Sequence, residues 1–154
     1  NNSEWGWYEV TNVGMENSEE FCEKKISVHP RQALSLQRHQ GRREIWSVLE
    51  GKLSVIINGE FKTLSKGQEI IIPNKAAHCI INLTDEPVVI YEKQIGFYRE
   101  EDNDRLYDFN GRDTVSISPT DTDALESIKI YKEVTAHLKQ DDLVWYNENA
   151  SNQN

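Results

Sequence analysis

The chain is poor in the residues that staple or anchor a protein. It has two cysteines, Cys22 and Cys79, both in apolar, strand-like surroundings and with no C-x-x-C pair. A disulfide framework and a thiolate metal site are therefore not expected, and buried free thiols in a reducing cytosol are. No apolar run approaches the ~20 residues of a membrane span, and no secretory hydrophobic segment opens the sequence. A cytoplasmic location and no membrane partner follow as expectations. The opening Asn1-Asn2-Ser3 without methionine suggests a processed or artificial N-terminus. No Walker-type or G-x-G-x-x-G loop is present, which excludes nucleotide transfer by this chain alone. Cations are in short supply: 17 Lys and Arg stand against 26 Asp and Glu, for a net charge of −9. That balance argues against nucleic acid and anionic membranes, both of which are held mainly through phosphate neutralisation. A small anionic substrate needs only a few local cations and remains compatible.

What the chain does have is short strand signals. A length of 154 residues suits one domain with a real core. Trp7 to Glu9 and Lys24 to His29 read as early strands, followed by 45–49, 53–57, 61–64, 69–72, 78–83 and 88–94. Asn58-Gly59 between two apolar runs is a type I′ hairpin signal, because both central positions want positive φ. About eight or nine antiparallel strands punctuated by Gly, Asn and Pro predict an all-β jelly-roll barrel enclosing a cavity. Beyond Arg112 the pattern changes. Leu125, Ile128, Tyr131, Val134 and Leu138 recur at helical spacing and predict one amphipathic helix over about 121–139. Thr120, Asp121 and Asp123 compete as its N-cap, and Asp123 with Glu126 approximates a capping box. His137 on this helix reads as a surface residue. The expected organisation is a barrel over 1–113, an extension over 114–146 whose Leu143 to Tyr146 segment can dock, and a disordered tail over 147–154.

Four potential metal ligands stand within this strand region. Gln37 and His39 alternate onto one face of a strand, Glu44 can meet them after the chain turns, and His78 arrives from a distant hairpin. The set offers nitrogen and oxygen donors, which suit one divalent ion per chain: zinc first, with manganese, iron, cobalt or nickel as alternatives. The segment RQALSLQRHQGRREIWSVLEG resembles the first cupin motif, with Gln37 in the first His slot and Arg31 in the first Gly slot. GQEIIIPNKAAHCIIN resembles the second, with Lys75 replacing its central Gly.

The resemblance narrows further. WGWYEV, KKISVHP, the LSLQ-x-H block, Trp46 two residues after Glu44, YEKQIG and the closing D-R…D…GR pattern are similar to the cupin domain of the type II mannose-6-phosphate isomerase family, usually fused behind a sugar-phosphate guanylyltransferase. The likeness runs from Trp5 to about Arg112. Gly41 and Ile45 stand where that family usually has histidines, Arg31 and Lys75 where it has glycines, and Lys93 where it has an apolar residue. None of these is among the four ligands.

The resemblance implies a cupin jelly roll with a metal-dependent aldose–ketose isomerase activity on mannose 6-phosphate and fructose 6-phosphate. Its metal would stabilise the negative charge that develops as a proton moves between C1 and C2. Glu92 is the candidate base and Lys93 the next, since strand alternation lets only one of these neighbours face the cavity. Arg42, Arg43, Lys75 and Gln94, beside the motifs, are candidate substrate-binding residues, with Arg43 or Lys93 holding the phosphate. Two other readings stand beside this one: a non-catalytic cupin that binds a sugar phosphate or nucleotide sugar, and a metal cupin of another reaction class such as an epimerase or dioxygenase. A homodimer is expected, because Trp5, Trp7 and Tyr8 form an aromatic strand segment that one small barrel leaves uncovered.

Overall fold

The structure is a computed structural model that describes residues 2–96 and 102–139; the docking segment at 143–146 and the tail at 147–154 lie outside the described residues. Twelve strands are followed by one helix: β1 (Asn2–Ser3), β2 (Gly6–Glu16), β3 (Glu19–Val28), β4 (Gln32–Ala33), β5 (Leu36–His39), β6 (Arg42–Glu50), β7 (Lys52–Ile57), β8 (Glu60–Ser65), β9 (Glu69–Ile72), β10 (His78–Asn82), β11 (Val88–Gly96), β12 (Asn103–Tyr107) and α1 (Thr122–Lys139). One sheet runs β1-β2-β3-β11-β6-β9 and the other β12-β5-β10-β7-β8, with β4 also paired to β10. Every pairing is antiparallel. The all-β jelly roll that the strand punctuation predicts is present as two antiparallel sheets.

Two apolar layers hold it together, and β10 shows why. Its five residues, His78 to Asn82, are all buried. Side chains alternate along a strand, so Ile80 joins Trp5, Ile26, Val28, Trp46, Val48, Leu53, Val55, Ile72, Val88 and Ile90 between the sheets. Cys79 and Ile81 turn the other way and pack with Ala33, Leu36, Ile56 and Leu106 under Ala124, Tyr131, Val134 and Leu138 of α1. The helix thus covers the outer face of the second sheet, and β10 reads as a continuous apolar run because both its faces are covered. Burial also pushes the Cys79 thiol up from its ordinary range, while Cys22 is half-buried; neither is bonded to another cysteine.

α1 buries Tyr131, Val134 and Leu138 as the apolar periodicity predicts, and at its N-terminal end the stripe shifts by one residue. Ala124, Ser127, Tyr131, Val134, Thr135 and Leu138 face the sheet, Leu125 is 42% exposed, and Ile128 is half-buried. The small residues Ala124 and Ser127 allow the close approach, so size outranks hydropathy at that end. Asp121 is the N-cap: its Oδ1 accepts from the Ala124 N–H at 3.2 Å. The capping box does not form. Asp123 instead accepts from the Ala77 N–H at 3.1 Å and from the Ser127 hydroxyl at 3.3 Å, while Arg38 bridges Asp121 at 2.7 Å and Asp123 at 3.4 Å. The helix start is thereby clamped to the residue preceding His78. His137 is half-buried rather than on the open surface.

Tyr131 secures the middle of the helix. Its hydroxyl accepts from the Phe109 N–H at 2.9 Å and donates to the Leu34 carbonyl at 2.8 Å. Tyr131→Phe strands two partly buried backbone groups, and such orphaning costs up to roughly 1–3 kcal/mol. A chain of this size loses about 2–4 °C in Tm per kcal/mol, so thermal denaturation of the variant is expected several degrees below wild type. An unchanged Tm would remove this bridge from the account of helix docking.

Turn chemistry agrees with the reading at Asn58-Gly59, where φ is 48° and 75°. Arg31 and Lys75, which replace glycines in the motifs, keep the glycine conformation at φ 57° and 71°. A side chain there is strained. Arg31 offsets part of it with an Asp85 bridge at 2.9 Å, and the Lys75 N–H donates to the His39 carbonyl at 2.7 Å.

The sequence underestimates the strands. β2 and β3 form a long hairpin through the positive-φ turn Asn17-Ser18, and β12 pairs with β5. Polar composition hides both. The aromatic segment is not left uncovered, either: Trp5 is buried and stacks on Tyr8 with ring centroids 6.5 Å apart, while Trp7 and Tyr8 are half-buried. The exposed apolar residues of β2 are Val10, Val13 and Met15.

Candidate metal centre

Strand register brings the four sequence-derived ligands to one place from both sheets. In the second sheet Gln37 of β5 sits opposite His78 of β10 and Arg105 of β12, so these three form one cross-strand row. In the first sheet Glu44 of β6 sits opposite Gln94 of β11, and Trp46 opposite Glu92. His39, Glu44 and His78 are all buried, and one donor atom from each lies within 4.8 Å of the others. His39 Nε2 is 3.3 Å from Glu44 Oε2, and His78 Nε2 is 4.0 Å from Glu44 Oε1.

Hydrogen bonds set the state of these donors. His78 Nδ1 lies 2.9 Å from the Ala76 carbonyl oxygen, which can only accept, so Nδ1 carries the proton and Nε2 keeps its lone pair. Burial holds the His78 imidazole below its ordinary pKa, which favours the same neutral form. The Arg42 Nη2 lies 2.9 Å from His39 Nε2, and a guanidinium can only donate, so this nitrogen too presents a lone pair. His39 Nδ1 is buried with no partner among the described residues. Burial by itself would raise the Glu44 carboxyl, but its bonded neighbours, the Arg42 guanidinium among them, override it and hold the group well below the usual range. Two imidazoles and one carboxylate converging on a point are a donor set that suits a divalent ion, and His39, Glu44 and His78 could hold one. Gln37 is half-buried and its Nε2 donates to the Ser35 hydroxyl at 2.7 Å, which leaves its carbonyl oxygen as the end able to join them.

A second carboxylate stands beside the centre. Glu92 is buried; its Oε1 accepts from Gln94 Nε2 at 2.6 Å and its Oε2 from the Trp46 indole N–H at 3.0 Å. The same N–H donates to Glu44 Oε1 at 3.0 Å, so Trp46 ties one expected ligand to the candidate base. Burial, reinforced by the neighbouring Glu44, pushes the Glu92 carboxyl up to about 8.

Glu44, Trp46, His78 and Glu92 line a cavity of about 330 Å³, within the range of small-ligand sites. Arg42, Glu92, Gln94 and Gln37 line it as expected. Three other sequence candidates do not. Arg43 turns outward into a two-point bridge with Glu19 at 3.1 Å, Lys93 leaves the opposite face of β11 to meet Glu16 at 2.6 Å and the Phe21 ring at 5.0 Å, and Lys75 is exposed. Alternation decides the first two: Arg42 and Glu92 point in, so their neighbours point out. The cations that do line the cavity with Arg42 are Lys24, Arg105 and Arg112. Lys24 lies opposite Glu92 across β3 and β11, a parity readable in the sequence once Glu92 is placed inside. Arg105 and Arg112 belong to the closing D-R…D…GR pattern, whose apposition to Gln37 no local signal reveals. Gly41 and Ile45, where histidines were expected, do not line the cavity.

Comparison with known proteins follows this geometry. Residues 2–108 match the family model "Mannose-6-phosphate isomerase C-terminal". The mannose-1-phosphate guanylyltransferase ManC of Salmonella typhimurium is 39% identical over 99 residues, covering 64% of this chain and 20% of that protein. The alginate biosynthesis protein AlgA of Pseudomonas aeruginosa is 36% identical over 109 residues, covering 70% and 22%. The chain therefore spans about a fifth of the length of these relatives. Among solved structures, the cupin domain of an XRE family transcriptional regulator from Enterobacter cloacae superposes with a TM-score of 0.54 at 21% identity, over 62% of this chain and all of that one. The cupin domain of Schizosaccharomyces pombe Cnp3 gives 0.51 at 17%, over 58% and 65%. The chain belongs to the mannose-6-phosphate isomerase C-terminal family and has the cupin fold.

Proposed function

We propose that this chain is a metal-dependent isomerase that interconverts mannose 6-phosphate and fructose 6-phosphate. The observation that carries the reading is the buried Glu92 carboxyl sharing the Trp46 N–H with Glu44 inside the cavity, in a chain of this family. His39, Glu44 and His78, with the Gln37 carbonyl, would hold a divalent ion, zinc first and manganese, iron, cobalt or nickel as alternatives. Such an ion supplies Lewis acidity toward substrate oxygens.

The protein's own residues do the rest. Glu92 takes the proton from C1 or C2 on one carboxylate oxygen and returns it to the neighbouring carbon. Trp46 and Gln94 fix the orientation of that carboxylate through its two oxygens. A carboxyl raised toward neutrality by burial suits a group that must both take and release a proton. Lys24, Arg105 and Arg112 supply the positive charge for the phosphate, with Arg112 at the open side, where its side chain is 41% exposed.

A coupled assay tests the reading: chelator-treated protein reloaded with each candidate metal is supplied with mannose 6-phosphate in heavy water. Turnover with deuterium uptake at C1 or C2, abolished by chelator, is expected. No exchange under any metal, together with sugar-phosphate binding by calorimetry, would establish a binding module instead.

A further inference from the structure

Arg42 differs from the other cavity cations because its guanidinium already sits on the groups read as metal ligands. Its Nη2 is 2.9 Å from His39 Nε2 and its Nε 3.0 Å from Glu44 Oε2, and the side chain is only 8% exposed. These two acceptor atoms are 3.3 Å apart, and each points electron density at the other. The Arg42 guanidinium bonds to both of them. The imidazole nitrogen has one lone pair, which serves either an N–H donor or a metal, never both. Arg42 also lines the cavity, so its head has somewhere to go when released.

Resting on the metal reading above, we infer that Arg42 is a displaceable internal cation: it and a divalent ion compete for His39 Nε2 and Glu44 Oε2, and the ion's arrival turns the guanidinium toward the cavity to meet a phosphate group. The guanidinium stays charged in either position. A guanidinium released from its two acceptors gains from an anion beside it, so phosphate binding and metal binding favour each other, reciprocally. The competition also makes the centre resist weak divalent ions, since any ion has to outbid a charge-assisted pair.

The test is calorimetric titration of zinc, and separately of inorganic phosphate, into chelator-treated full chain, as wild type, Arg42→Met and Arg42→Lys. Arg42→Met keeps the aliphatic stem and loses the competitor, so it is expected to bind zinc at least about tenfold more tightly than wild type. Loading wild type with zinc is expected to tighten phosphate binding by roughly 5- to 150-fold, and Arg42→Met is expected to lose that coupling. Lys keeps the charge but cannot bond two acceptors with one planar fork. Arg42→Lys is therefore expected to bind zinc more tightly than wild type while keeping part of the coupling, and it decides the matter if the Met variant melts early. Equal or weaker zinc binding in both variants, or phosphate affinity indifferent to zinc in wild type, overturns the inference and leaves the metal reading standing. Failure of all three proteins to take up zinc overturns both.

Discussion

Glu92→Gln is expected to lower kcat for mannose 6-phosphate by about 10²- to 10⁴-fold, the usual contribution of one positioned acid or base, while KM moves far less. The substitution is close to isosteric. It removes a buried charge and the ability to carry a proton, yet leaves an oxygen for the Trp46 indole. A loss confined to kcat is the signature of a group that matters in the transition state rather than in binding. Equal changes in kcat and KM, or none in either, would remove Glu92 from the chemistry. A fall in Tm matching the loss of activity would mean that the substitution had disturbed the Glu44–Trp46–Glu92 arrangement instead.

His39→Ala is expected to abolish stoichiometric metal uptake. It deletes one of two imidazole donors in a group of three buried donors. Elemental analysis of protein purified without chelator should find about one equivalent of metal in wild type and little in the variant. The protein should still fold, because His39 lies at the end of β5 and contributes little to the apolar layers. Wild type that stays metal-free after incubation with zinc, manganese and iron would refute the ligand assignment.

Legibility in the sequence followed the range of the interaction. His39 and Glu44 could be read because a strand, a tight turn and a second strand impose a local spacing on them, and His78 because a second motif repeats the logic with its own proline and glycine. The choice between Glu92 and Lys93 needed only the parity of β11. The outward turn of Arg43 follows from the same parity once Arg42 is placed inside, yet proximity to the motif made both look like phosphate contacts. Arg105 could not be placed at all from local pattern, since it reaches the centre by pairing with Gln37, and the register of that pair is set by closure of the second sheet.

The helix repeats the lesson on a larger scale. Its existence and span were visible in the apolar periodicity and in the cluster of capping candidates. So were Tyr131, Val134 and Leu138 of its buried stripe; the first turn was not, because closeness to β10 selected Ala124 and Ser127 over Leu125, and because Asp123 was taken by the Ala77 N–H and Arg38 instead of a capping box.

The amino-acid sequence alone determined the all-β class, the antiparallel punctuation, the identity of the three converging donors and the terminal helix, since each depends on residues near one another in the chain. Only the tertiary structure decided which cations enter the cavity, that Trp46 joins Glu44 to Glu92, and that Arg42 bonds to His39 and Glu44. Those outcomes depend on which strands become neighbours and which faces they turn to one another, and that is settled by burying two apolar layers at once.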